Sequence, residues 1–264
     1  VHPYRHTAPE TVLEDYAKLQ VLIKRYNRGE AVRLISSEWG YVGGPDGHCP
    51  GTLPHSACQE WNDRQSTLDD LQAKYLPRQW LANWLGGAPI SIWFKWFSGQ
   101  QPPFYGVMQE TPGDGAVLKP SYHAALALQQ AAAGLTHVAR LAASSNSSHA
   151  TNAATPATED TTFAINMSSP TAYLLAVWTT VNTTTVPVRL RVGADTTCFQ
   201  RTNHLGQAQK AACSARGWLE VVANDAPQYL APLAVAVKTD ESLTAVTRHQ
   251  RACDLAGFDA SVQD

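Results

Sequence analysis

The chain has no apolar run approaching the roughly 18 residues that a membrane-spanning helix needs, so no membrane span is expected. It begins with Val1, and no basic segment leads into an apolar one, so the sequence reads as processed, truncated or a fragment. Charge is sparse, at 16% of residues and a net −2, and no nucleic-acid partner is expected of such a balance. No internal repeat is present. What remains is 264 residues with a hydrophobic content of 44%, an ordinary globular composition that suits one large or two medium domains.

Cysteine is also scarce, with five in all: Cys49, Cys58, Cys198, Cys213 and Cys253. They fall as two close pairs and a single, which favours two local disulfides, Cys49 to Cys58 and Cys198 to Cys213, and leaves Cys253 as a thiol or an intermolecular link. Two histidines, His48 just before Cys49 and His55 between the two cysteines, join the first pair within eleven residues, and such a set could make a tetrahedral zinc site. The spacing matches no familiar zinc module, so a disulfide is preferred and neither a metal nor another cofactor is expected. Three Asn-x-Ser/Thr sequons, at Asn146, Asn166 and Asn182, make candidate glycosylation sites. Together with the cysteines they point to a secreted or cell-surface protein.

The stretch Arg33-Leu34-Ile35-Ser36-Ser37-Glu38-Trp39-Gly40-Tyr41 is a short β-type run that ends on a carboxylate and opens into a Gly/Pro-rich loop. In α/β barrels, catalytic groups stand at the C-terminal ends of strands. Upstream, Val1 to Arg5 reads as the end of a strand, with His2 and Tyr4 on one face. Val12, Leu13, Tyr16, Leu19, Leu22, Ile23 and Tyr26 recur at helical spacing over 9–27, with Thr7 available as the cap. Residues 39–66 read as a long loop, and Leu68 to Trp84 as a second helix with a kink at Pro77, stopped by Gly86 and Gly87. Pro89 to Phe97 is apolar at nearly every position, as expected of a strand covered on both faces. Pro120 suits the first turn of an alanine-rich helix running to about Leu141. Residues 142–160 are small and polar and read as a linker. Beyond them come short β-type runs at 161–165, 173–180, 186–192, 218–223 and 228–237, the pattern of a small antiparallel sandwich. Trp178 and Trp218 fall inside these runs, so burial is expected for both.

Six segments in this order carry a resemblance: His2-Pro3-Tyr4-Arg5, Ser37-Glu38-Trp39-Gly40-Tyr41, Gln72-Ala73-Lys74-Tyr75-Leu76, Ser91-Ile92-Trp93-Phe94-Lys95-Trp96, Tyr105-Gly106-Val107 and Lys119-Pro120-Ser121-Tyr122-His123-Ala124. Residues 1–135 resemble the C-terminal part of clan A glycoside hydrolases, with closest likeness to cellulase-like and xylosidase-like members that carry a β-sandwich after the barrel. The implied fold is α/β plus all-β: strands six to eight of a (β/α)₈ TIM barrel, then a small antiparallel β-sandwich. The implied domains are 1–141 for the partial barrel, 142–160 for the linker, 161–240 for the sandwich and 241–264 for a C-terminal tail.

The resemblance implies a retaining hydrolase acting on a β-linked polysaccharide or glycan, with carbohydrate as its partner. Such enzymes use two carboxylates about 5–5.5 Å apart, one attacking the anomeric carbon and one protonating the leaving oxygen. Glu38 matches the nucleophile, His2 and Tyr4 the pair beside it, Trp93 the aromatic platform under the sugar, and Trp39 a residue of the cleft rim. Two departures stand out. The clan's acid/base belongs to an Asn-Glu pair, which occurs nowhere in the chain, and a barrel takes about 250 residues where roughly 140 are barrel-like here. The remaining strands are therefore expected from the same precursor or from another chain. The alternative is a non-catalytic, glycosidase-like structural or glycan-binding protein of the cell surface or extracellular matrix.

Overall fold

The structure is a computed structural model that describes residues 1–28, 32–44, 55–99, 104–111, 113, 115–143, 161–181, 185–193 and 196–233, with the backbone alone for 55–66 and 111. An extended segment, 1–5, leads through a 3-10 turn, Pro9–Thr11, into α1 (Val12–Tyr26) and then β1 (Ile35–Trp39). α2 (His55–Leu85), β2 (Ile90–Trp93), β3 (Phe97–Ser98), β4 (Met108–Thr111), β5 (Gly115–Leu118) and α3 (Pro120–Ala131) follow. The rest is β-structure: β6 (His137–Arg140), β7 (Thr162–Ser168), β8 (Tyr173–Thr179), β9 (Val186–Arg191), β10 (Cys198–Thr202), β11 (Ala208–Cys213), β12 (Trp218–Ala223) and β13 (Gln228–Pro232).

β1 and β2 pair in parallel, with Ile35 opposite Ile90 and Ser36 opposite Ser91. The Val1 nitrogen donates to the Ile35 carbonyl at 2.8 Å, and Ser37 N–H donates to the Val1 carbonyl at 3.1 Å. That is the bond pair a parallel neighbour makes, so residue 1 extends the ladder although no strand is assigned there. One face of this small sheet packs on α1 and α2, where Leu34 and Trp39 join Val12, Tyr16, Tyr75 and Ala82. Ser91, on that face, accepts from Asn83 of α2 at 2.6 Å. On the other face Ile90 and Ile92 are each 51% exposed, and Ile35 is also exposed. The expectation of a strand covered on both faces is thus corrected: only the helix side is covered by described residues.

The six-stranded antiparallel sheet has the order β11-β10-β13-β8-β7-β6, and β12 and β9 form a second pair. Ala164, Leu175, Val177, Phe199 and Leu230 of the first share a core with Val186, Val188, Leu190, Leu219, Val221 and Ala223 of the second. The opposite face of the larger sheet places Phe163, Ile165, Met167, Trp178 and Tyr229 against Leu81 of α2 and Ala127 and Leu128 of α3. β8 is therefore covered on both sides, which accounts for its unbroken apolar run Tyr173 to Trp178. Trp178 is fully buried and donates its indole N–H to Glu10 at 2.6 Å. Glu10 also takes a two-pronged ion pair from buried Arg78 of α2, at 2.7 Å to each oxygen.

Several expectations change. α2 starts at His55, not near Leu68; its first turns are polar and show no apolar face to read. Pro77 sits inside it without ending it. Thr7 does not cap α1 and instead shares a hydroxyl contact with Thr11. Leu22 and Tyr26, though spaced as a core face, are exposed. α3 stops at Ala131; Gly134 takes a positive φ of 76°, and residues 137–140 turn back as β6 to pair with β7. Cys198 and Cys213 are joined by a disulfide between directly opposed residues of β10 and β11. The Cys49 to Cys58 pairing, His48 and His55, the acceptors Asn146 and Asn182, and Cys253 fall outside the described side chains. Asn166 lies within β7, between β6 and β8, with its side-chain oxygen buried and without a hydrogen-bond partner among the described residues. That position does not suit an acceptor of a bulky glycan in the folded chain.

Candidate functional site

Glu38 is half-buried at the end of β1, and its direction depends on an irregularity. Between Ser36 and Trp39 the register shifts, so that three steps on β1 span two on β2, from Ser91 to Trp93. Strict alternation would send Glu38 to the same side as fully buried Ser36, toward the helices. The extra residue re-aims it, as bulges do. Trp39 takes the buried place instead, and Glu38 turns to Tyr4, whose hydroxyl donates to Oε1 at 3.0 Å.

Tyr4 stands edge-on to Phe94, with ring centroids 6.4 Å apart, and to Tyr105, at 6.0 Å. Phe94 and Tyr105 are 5.7 Å apart, so three rings border the carboxylate. Desolvation, then the hydrogen bond to Glu38 and its charge, push the Tyr4 phenol well above its ordinary range. It therefore remains a protonated donor throughout the neutral range, which fixes the orientation of the carboxylate oxygen it touches.

The loops around Glu38 are held from below by polar side chains of α2. Gln79 donates to the Trp39 carbonyl at 3.1 Å, and Gln72 to the Tyr41 carbonyl at 2.8 Å and the Tyr105 carbonyl at 3.2 Å. Ser121 of α3 anchors Gln72 in turn at 2.8 Å. Asp69 accepts from Gly44 N–H at 2.9 Å and from buried Lys119 at 3.2 Å. Burial pushes the Asp69 carboxyl up, against the opposing pull of Lys119 and the Gly44 N–H. Phe94 N–H continues the ladder onto the Trp39 carbonyl at 3.0 Å. A Cβ at Gly40 would collide with the Phe94 carbonyl, so only glycine lets these two strand ends close.

The residues expected at the site divide. Glu38 and Tyr4 are brought together. His2 is exposed and makes no hydrogen bond among the described residues. Trp39 is fully buried beneath the Arg5 guanidinium, 5.3 Å away, and is a core residue, not a cleft rim. Trp93 is half-buried and lies tilted against Tyr41, and its N–H donates to the Tyr105 carbonyl at 2.9 Å. It shares the helix-facing side with Ser91, and the ring beside Tyr4 is Phe94. Phe94 and Tyr105 lie within the ordered motifs, but their proximity to Tyr4 depends on the loop path after β2, which no spacing in the sequence reveals. Farther along that loop Trp96 is 61% exposed and braced edge-on by Tyr122 at 5.7 Å.

No protein-family model matches the chain, and no curated protein matches it in sequence. Among solved structures it is similar to a family 39 glycoside hydrolase from the gut symbiont Bacteroides cellulosilyticus WH2, with a TM-score of 0.59 and 16% identity over 88% of this chain. The chain has a glycoside hydrolase-like fold. It spans 44% of that protein's length. Among the described residues no helix is long and apolar enough to cross a membrane, and no group of three or more His, Cys, Asp or Glu is gathered as for a metal.

Proposed function

We propose that the chain is the nucleophile-bearing part of a retaining glycoside hydrolase that acts on a β-linked polysaccharide or glycan. The observation that carries this reading is the Tyr4 to Glu38 hydrogen bond at the end of a parallel strand pair, bordered by Phe94 and Tyr105. In the proposed reaction Glu38 attacks the anomeric carbon as the glycosidic bond breaks, and the leaving oxygen takes a proton from a second carboxylic acid. Water, deprotonated by that second carboxylate, then displaces Glu38 from the sugar. Tyr4 holds Oε1 and leaves the other carboxylate oxygen to react. Phe94 and Tyr105 offer apolar ring faces for the C–H face of a pyranose.

The second carboxylate comes from elsewhere in this proposal, since the chain contains no Asn-Glu pair. We take the part from Val1 through α3 as strands six to eight of a (β/α)₈ barrel, and β6 to β13 as an accessory β-sandwich, since β6 pairs with β7. The exposed apolar side of β1 and β2, at Ile35, Ile90 and Ile92, supports this, because a closed barrel covers that side with its other strands. The disulfide and the sequons at Asn146 and Asn182 support secretion or display at the cell surface. The absence of an Asn-Glu pair equally supports a non-catalytic glycan-binding relative, and one experiment separates the two. In the complete protein, Glu38→Gln abolishes turnover of an aryl β-glycoside, and Tyr4→Phe lowers kcat roughly 10- to 100-fold, as expected for a charge-assisted hydrogen bond, both with native circular dichroism. Undiminished turnover in Glu38→Gln would remove the nucleophile assignment, and a complete protein without turnover would favour the binding reading.

A further inference from the structure

Away from Glu38, β9, β10 and β12 line a half-open cavity of about 250 Å³. Its wall is apolar at Pro187, Val188 and Val222 and charged at Arg189, Arg201 and Glu220. Both guanidiniums are held by neutral groups. Arg189 lies over the Trp218 ring at 4.6 Å. Arg201 donates through one terminal nitrogen to the side-chain oxygens of Gln228, at 2.8 Å, and Gln209, at 3.3 Å. Gln228 is itself fixed by donating to the Val222 carbonyl at 2.7 Å.

These supports orient the cations, and Arg201 is left without a carboxylate partner among the described residues. The Nε of each guanidinium is buried and has no hydrogen-bond partner among the described residues. Glu220, opposite Arg189 in the β9–β12 pair, is the carboxylate in the wall and makes a loose ion pair with it, Oε1 to Nε 3.6 Å, too long for a hydrogen bond. Two guanidiniums against one carboxylate leave a single positive charge facing the cavity. The guanidinium fork that these supports orient matches a carboxylate. The apolar stretch alongside suits the C–H face of a small ring, and the volume is that of a single ring, below the usual range for drug-sized ligands.

We propose that this cavity is a binding site for a monocarboxylate of monosaccharide size, a uronic acid unit, whose carboxylate is shared by Arg189 and Arg201. The site is separate from Glu38 and does not depend on its catalytic role. Titration of the isotopically labelled full chain with sodium glucuronate, followed by amide NMR, tests it. Saturable shifts are expected in β9, β10 and β12, with none from glucose. Arg201→Gln and, independently, Arg189→Gln each weaken binding roughly 10-fold or more, in line with loss of a charged hydrogen bond. Glu220→Gln tightens it by removing the competing carboxylate. The proposal is overturned by an absence of saturable shifts, by glucose moving the same residues, by acetate binding as tightly as glucuronate, or by natively folded arginine variants that bind like the parent chain.

Discussion

His204, in the turn between β10 and β11, shows how one residue ties acid stability to packing. Its ring lies near Asp70 and Lys74 of α2 and near Asp225, and its Nε2 is buried without a hydrogen-bond partner among the described residues. Desolvation dominates over the two carboxylates and pulls its pKa from 6.5 down to about 4. The unfolded chain binds that proton near the ordinary value, so between the two values it holds more protons than the folded chain. Stability therefore rises with pH across this window and is lost as pH falls from about 6.5 toward about 4, by up to roughly 3 kcal/mol. Urea unfolding at pH 7 and pH 4.5 checks the sign: His204→Gln should lose clearly less stability between the two than the parent chain does. Equal losses would show that another group carries the acid sensitivity. Glu38 makes a complementary point at the same scale. Its place at a strand end and its relation to Tyr4 were legible from ordered motifs, whereas its direction was not, because the register shift beside Ser36 breaks the alternation of an ideal strand. The same shift buried Trp39, and the ring that stands beside Tyr4 is Phe94, not the Trp93 that the resemblance pointed to.

Among the elements, the link between helices and sheet runs through Glu10, which receives Arg78 on both oxygens and the Trp178 indole N–H. Arg78 also donates to the Asp225 carbonyl at 3.1 Å, so four segments meet at one buried ion pair. Removing one member of such a pair strands the other charge and costs about 3–5 kcal/mol, while removing both costs less. Chemical denaturation should accordingly find Glu10→Gln destabilised by about that amount and the double variant with Arg78→Met less so. A double variant at least as unstable as the single would contradict the stranded-charge account. Elements with strong periodicity were readable in advance: α1 by its recurring apolar face, and β7, β8, β9 and β12 by their β-branched and aromatic runs. β10 and β11 were missed because Cys198 to Thr202 and Ala208 to Cys213 are largely polar and owe their pairing to neighbours and a disulfide. The alanine-rich run past Ala131 looked helical by propensity, but it turns at Gly134 and gives its last residues to the sheet.

For the whole molecule, the likeness to a solved glycoside hydrolase covers 88% of this chain but 44% of that protein. The partial coverage agrees with an apolar face at Ile35, Ile90 and Ile92 that described residues leave exposed. In the proposed account the other strands close over this face and bring a second carboxylate to Glu38. The nucleophile can be tested without that partner's proton, because the dinitrophenolate of a dinitrophenyl 2-deoxy-2-fluoro glycoside departs without protonation as the attacking carboxylate takes the sugar in an ester. Incubation of the complete protein with this reagent, followed by proteolysis and mass spectrometry, should place one fluoroglycosyl ester on the peptide containing Glu38, with none on Glu38→Gln. A label on another carboxylate, or a glycosidase that turns over substrate yet never labels at Glu38, would contradict the central claim.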